Sequence, residues 1–235
     1  MRKTLSFANK NLILYGVYIS GSGVFNSPVK AYDPIQIPGR DGDILGREKR
    51  LEDIEVTYPA FIYTNFKQNV SDLRNYLLSK DGYQEITDTY HPDEYRMGYY
   101  AGGLEVEPTA RLDAGNFELR FMCKPQRYLT SGNTVTIIRN SGFIDNPTMF
   151  YSKPLLLIYG TGSVQINDVT ITVTYSNTEY TEIDCELMSA YYGPNSKNQF
   201  IELSGTDFPT LKPGNNTITV SGPSLVEITP RWYIV

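Results

Sequence analysis

Histidine, tryptophan and cysteine are nearly missing from this sequence: 235 residues hold one His, one Trp and two Cys. A single histidine, His91, cannot make a multi-histidine metal site, and two cysteines make no cluster to assist it. Cys123 in FELRFMC and Cys185 in EIDCEL both sit in alternating runs. Two half-buried free thiols are therefore expected, rather than a disulfide joining the halves of the chain. Positive charge is also short: 21 Lys and Arg stand against 26 Asp and Glu, for a net charge of -5 and a pI of about 5.0. No basic surface of the kind that grips a phosphate backbone is available, so sequence-specific nucleic-acid binding is not expected. No run reaches the roughly 20 apolar residues of a membrane span. The opening MRKTLSFANKNLILYGVYIS imitates a signal peptide. Its apolar run over residues 12–19 is short, holds Gly16 and lacks a clean small-residue cleavage site, so a protein kept in a cytoplasm is expected.

What the chain does have is tyrosine, 19 of them, and recurrent Val, Ile and Thr, which favour strands. Hydrophobic residues at 40% and charged residues at 20% describe a globular protein long enough for two domains. Most segments alternate with period two: YGVYISGSGVF, LEDIEVTYPAFIY, GGLEVEPTARL and NFELRFMCKP each offer one buried face. Residues 65–79 differ. Phe66, Val70, Leu73 and Leu77 recur at helical spacing, Asn65 suits the N-cap and Gly82 the stop, so one substantial helix is predicted here. Residues 1–130 carry 16 Lys or Arg and 17 Asp or Glu, whereas residues 131–235 carry 5 and 9. This shift predicts a boundary near LTSGN, with domains 1–130 and 131–235. The second half breaks its strands with Gly, Asn and Pro every 8–12 residues or so, the rhythm of an antiparallel sandwich, and Asn146-Pro147 and Lys153-Pro154 read as strand starts.

Residues 37–42, IPGRDG, raise the sharpest functional question. A phosphate-binding loop needs a lysine after its glycines, and none follows Gly39 or Gly42. A calcium loop from Asp41 would place Asp43, Gly46 and Glu52 suitably, but puts Leu45 at a ligand position and Glu48 where an apolar residue is usual. Arg-Asp-Gly is not the adhesion order. A turn remains, with Arg40 and Asp41 free for a partner. His91 in HPDEY reads as a solvated loop residue rather than a catalytic base. The pairs Asp184 with Glu186 and Glu105 with Glu107 could run glycoside hydrolysis if held across a cleft, yet read as wet sheet faces. The clusters Tyr90, Tyr95, Tyr99, Tyr100 and Tyr191, Tyr192 suit an interface or core better than sugar stacking.

A family resemblance rests on the order of several motifs. F-x-x-x-N-L at residues 7–12 precedes IPGRDG. The amphipathic helix leads into L-x-S-x-D-G at 77–82, and G-x-F-x-L-x-F-x-C-x-P follows at 115–125. Later come N-x-G at 140–142, P-L-L-L-I-Y-G-T-G, F-P-T-L-K-P-G-N-N and a terminal I-T-P-R. Over essentially its whole length the chain resembles the distal tail proteins of long-tailed, non-contractile bacteriophages. The resemblance implies a mainly β protein of two domains. One is an N-terminal β-sandwich with one helix and a projecting hairpin, the other a C-terminal galectin-like antiparallel sandwich. It implies a hexameric ring at the tail tip, a hub between tail tube and the baseplate or receptor-binding machinery, with a channel for DNA and no catalysis or cofactor. Location in the virion after assembly in the host cytoplasm is implied too. The partners implied are further copies of the chain, the tail tube protein, the baseplate hub or tail-associated protein, and receptor-binding proteins. The galectin-like half lacks the His, Arg and Trp set by which galectins hold sugar; a carbohydrate-binding adhesion module is the alternative. On sequence and family together, residues 33–50 are expected to form a hairpin reaching to a neighbouring subunit, with Ile37, Pro38, Gly39, Arg40, Asp41 and Gly42 at the interface.

Overall fold

In a computed structural model, residues 3–32, 34–45, 50–175 and 177–235 are described. They fall into two compact units: one runs to Arg127 and includes Val235, the other is Tyr128–Ile234. Each has its own apolar core.

The first unit is built on one antiparallel sheet. Its strands lie in the order Lys10–Asn11, Leu5–Phe7, Gln84–Asp88, Glu94–Tyr100, Gly115–Leu129, Ile54–Ile62, Val17–Ile19, with Val106–Pro108 added beside Gly115–Leu129. The sheet curls until its ends meet: Lys3 bridges Ile19, whose amide donates to the Lys3 carbonyl at 3.1 Å. The expected sandwich thus takes the form of one sheet turned on itself. Period-two alternation drives it. Ile54, Val56, Tyr58, Ala60 and Ile62 all point inward from one strand, and Phe117, Leu119, Phe121 and Cys123 from its neighbour. Each fully buried side chain of this size contributes about 1.5–3 kcal/mol. Pro59 is tolerated inside a strand for a local reason. Its carbonyl accepts from the Ser20 amide at 2.8 Å, so its missing N–H faces the side where Val17–Ile19 has already ended.

Among the described residues there is one α-helix, Phe66–Leu78, and it lays Val70, Leu73, Tyr76 and Leu77 on this core. Tyr76, outside the predicted stripe, donates to the carbonyls of Phe7 (2.7 Å) and Ala8 (3.1 Å). The capping expectations need correction. Asn65 occupies the N-cap in left-handed conformation (φ 44°) and its side chain caps nothing; the Asn69 side-chain amide instead donates to the Thr64 carbonyl. The helix ends at Ser79, whose hydroxyl donates to the Tyr76 carbonyl, so Gly82 serves the following turn.

The second unit is an antiparallel sandwich. One sheet orders Thr136–Ile138, Leu225–Thr229, Leu155–Tyr159, Thr181–Asp184, Ser189–Tyr192 and Asn195–Ser196. The other orders Ser141–Asn146, Gly214–Ser221, Gly162–Ile166, Val169–Val173 and Ile201–Leu203. Leu156, Ile158, Ile183, Val226 and Ile228 of the first meet Val164, Ile166, Ile171 and Ile218 of the second in one core. Pro154 does stand just before a strand, but Pro147 follows one: Asn146 is a strand's last residue. Buried amides tie down the turns. The Asn216 side chain accepts from the Lys212 amide and the Asn167 amide group, and donates to the carbonyls of Lys212, Gly214 and Ile144.

Candidate assembly interface

IPGRDG forms the tip of an arm on the first unit. The arm begins where Lys30 bridges Leu51, the Ala31 amide donates to the Arg50 carbonyl and the Glu52 amide to the Val29 carbonyl. It continues as a two-stranded antiparallel pair, Pro34–Ile35 with Ile44–Leu45. At the end, the Arg40 amide donates to the Ile37 carbonyl at 3.2 Å across Pro38-Gly39, and Gly39 has φ 81°. Proline second and a positive-φ glycine third make a type II turn, and only glycine takes that third position without strain. Gly42 at φ 80° completes the reversal. Asp33 and residues 46–49 lie outside the described residues. That includes Gly46 and Glu48 of the calcium-loop reading and part of the returning arm.

The arm turns its apolar side chains to solvent. Ile35 (55% exposed) leads a series with Tyr32, Ile37 and Ile44, Arg40 and Asp41 are exposed at the tip, and Phe25 (74%) and Val29 (66%) are exposed at the base. Apolar exposure on a segment with so little core beneath it makes the arm a candidate interaction surface. The base, by contrast, is anchored. The Asn26 side-chain amide donates to the Glu55 carbonyl at 2.6 Å. One terminal nitrogen of Arg127 donates to the carbonyls of Val24 and Asn26 at 3.1 and 3.3 Å, while Arg127 also pairs with Glu94 at 3.6 Å. Sequence reasoning missed this root, because Asn26, Glu55 and Arg127 are far apart in the chain and share no motif.

The other sequence candidates scatter. His91 is not a solvated loop residue: its side chain is 19% exposed, its Nδ1 lies 3.4 Å from Asp88 Oδ1, and Phe25 sets an edge against its ring. Asp184 is not on a wet face either. It is buried and accepts both terminal nitrogens of Arg231 at 2.9 Å, together with the amides of Glu186 and Leu187. Burial alone would raise its pKa, but the guanidinium and the two amides outweigh it and hold the carboxylate below its ordinary value. Glu105 and Glu107 are exposed. Tyr100 packs on Phe121, Tyr90 donates to the Gly21 carbonyl, Tyr191 to Glu182, and Tyr192 meets Tyr180 edge-on. Trp232 is buried in the second core. Both cysteines are free and buried outright rather than half-buried, and burial pushes each thiol up to about 12. Among the described residues no group of three or more His, Cys, Asp or Glu is placed to hold a metal, and no helix is long and apolar enough to cross a membrane.

Residues 11–123, which contain the arm and most of the curled sheet, match the family model of the phage tail protein RIFT-related domain. Along the full chain the structure superposes on that of the distal tail protein (Dit) of phage SPP1, with a TM-score of 0.73, 18% identity and 100% of each chain covered. Residues 11–123 are thus similar to a phage tail domain, and the whole chain shares the fold of the SPP1 distal tail protein. The SPP1 protein is described as a paradigm of the hub adsorption apparatus of phages that infect Gram-positive bacteria. The distal tail fold is also matched in the phage p2 baseplate in its activated conformation. With Ca the TM-score is 0.58 at 12% identity, and with Sr 0.52 at 11%, each covering 97% of both chains. No curated protein matches the chain significantly.

Proposed function

We propose that this chain is the structural hub of a phage tail tip. Six copies form a ring that joins the tail tube to the baseplate and receptor-binding machinery and leaves a central channel for DNA. Its role is mechanical and not catalytic, and it works in the virion after assembly in the host cytoplasm. The observation that carries this reading is the arm: apolar side chains presented outward on a rooted hairpin within a phage-tail domain. On one copy alone such an arm exposes apolar surface and two short strand edges, whereas against a neighbour both are covered. Residues 37–42 then lie between subunits, with Arg40 and Asp41 setting register. The sugar-binding alternative loses its best aromatic platform, since Trp232 is buried.

Replacing residues 38–43 with a Gly-Ser linker tests the reading. The circular dichroism of the chain is expected to stay unchanged, because the tip touches no core, while electron microscopy of assembled tails shows no ring. Normal rings with the replaced tip would make the stretch an ordinary surface turn.

A further inference from the structure

The second unit leaves one long strand edge open. Its two sheets end in four edge strands, and three are short: Thr136–Ile138 and Ile201–Leu203 hold three residues each and Asn195–Ser196 two. The fourth, Ser141–Asn146, has six, pairs only with Gly214–Ser221, and runs against it residue for residue with no bulge. The Val220 amide donates to the Asn140 carbonyl at 2.6 Å, so these two face each other as a hydrogen-bonded pair. Such pairs alternate along an antiparallel ladder. Gly142, Ile144 and Asn146 therefore bond to the neighbour, and the amides and carbonyls of Ser141, Phe143 and Asp145 point to the open side. The side chains of these three are exposed, Phe143 at 69%, while Ile144 and Asn146 are buried. Asp145 stands near one end of the edge, and Arg139 stands two residues before the other. Both are exposed, and neither has an ion-pair partner among the described residues.

We propose that this edge pairs with the same edge of a second copy of the chain, antiparallel about a two-fold axis at Gly142. The edge is complementary to itself. It begins with a free cation and ends with a free carboxylate, so a reversed copy sets Arg139 opposite Asp145 twice. A parallel copy would set like charges side by side, which is destabilising. The same register sets Ser141 opposite Phe143 of the second copy and Phe143 opposite its Ser141. These are residues whose amides and carbonyls face outward, so both pairs can exchange hydrogen bonds. The two Phe143 rings then become diagonal neighbours on one sheet face, within reach of each other. The next register in phase, centred on Phe143, would leave Arg139 facing Pro147. A bare edge of this length is a template for uncontrolled pairing, and the second copy covers it. A two-fold contact is not a contact of a six-fold ring. The pairing therefore belongs to the free chain and does not depend on the arm reading.

Sedimentation of the full chain over a concentration series reads this directly. The wild type is expected to dimerise reversibly, and the dimer to weaken as salt is added. Asp145→Arg sets arginines face to face and is expected to raise the dimer dissociation constant at least tenfold. Arg139→Asp with Asp145→Arg reverses both charges together and is expected to bring it back to within threefold of the wild type. Ser141→Pro removes an amide hydrogen that points to the open side, where proline is tolerated. The circular dichroism is expected to stay unchanged while the dimer is lost. A wild type that is monomeric at every concentration overturns the pairing. So does a dimer indifferent to Asp145→Arg, or one that the double reversal fails to restore. The arm is told apart by its own variant. A dimer that survives replacement of residues 38–43 but not Asp145→Arg supports the edge. A dimer lost with that replacement and kept in Asp145→Arg belongs to the arm, and the edge pairing falls.

Discussion

The two units differ in where they concentrate their unusual side chains. The first places Ile35, Ile37 and Ile44 outward on an arm with no core of its own. The second turns polar residues inward, burying Asn146, Thr148, Asp184 and Asn216 with their partners. An outward apolar arm costs solubility unless another chain covers it. An inward amide or carboxylate costs stability unless its bonds are made, and for these four they close within the unit, while the buried Ser152 hydroxyl has no partner. The second unit also exposes Phe143, Met149 and Tyr151, so what separates the two is the buried polar network of the second and the thin, core-free arm of the first. Rigid turns suit a platform, and an uncovered arm suits a part that joins others.

The strongest way to break this contrast is to orphan a buried charge in the second unit. Arg231→Met leaves Asp184 buried and unpaired and is expected to cost about 3–5 kcal/mol, read by urea denaturation of the full chain. A loss within error of zero would mean the pair is not structural. The same clamp gives a pH dependence. Asp184 is depressed in the folded state, so its stabilisation is present above its unfolded value and is lost as pH falls through the lower folded value. Acid denaturation of the wild type should therefore steepen in that window, and Asp184→Asn should flatten it while lowering stability at neutral pH.

Asn216→Ala should cost about 2 kcal/mol or more, since it strips partners from buried carbonyls and an amide. The independence of the units is a proposal with a smaller reading attached. Residues 128–235 should fold alone with dispersed amide resonances. A fragment starting at 131 should be about 1–2 kcal/mol weaker, because it loses the Leu129 amide bond to the Trp232 carbonyl and the Tyr128–Tyr233 ring contact. A disordered spectrum for both fragments would remove the idea of two separate cores. The smallest effect sharpens the contrast most. Changing Ile35, Ile37 and Ile44 together to Ser should move monomer stability by no more than about 0.5 kcal/mol and still prevent assembly. A large loss of monomer stability would show that the arm packs at home.

Much of the fold was legible because it follows from a local period. Ile54–Ile62 and Gly115–Leu129 alternate so cleanly that strand, facing and inward residues all follow from side-chain order. The single helix was legible from Phe66, Val70, Leu73 and Leu77. Its caps were not, because a cap depends on one residue's backbone angle: Asn65 in left-handed conformation cannot aim its side chain at the first turn. The turn at the candidate interface was legible as well, since Pro38-Gly39 specifies its own geometry.

What the sequence determined alone is thus whatever depends on neighbours within a few residues: the strands, the helix, the type II turn and the segmented, charge-poor second half. Tertiary structure alone decided the roles of polar residues. Asp184, on a run that reads as a wet face, is buried because Arg231, 47 positions away, comes to meet it. His91 is sheltered because Phe25 folds over it, and the arm is rooted because Arg127 crosses about a hundred residues of chain to reach Val24 and Asn26. Apolar burial has a period that a strand or helix prints into its own sequence. A hydrogen bond or ion pair between distant residues leaves no such period, since its energy depends on where the fold happens to bring the second partner.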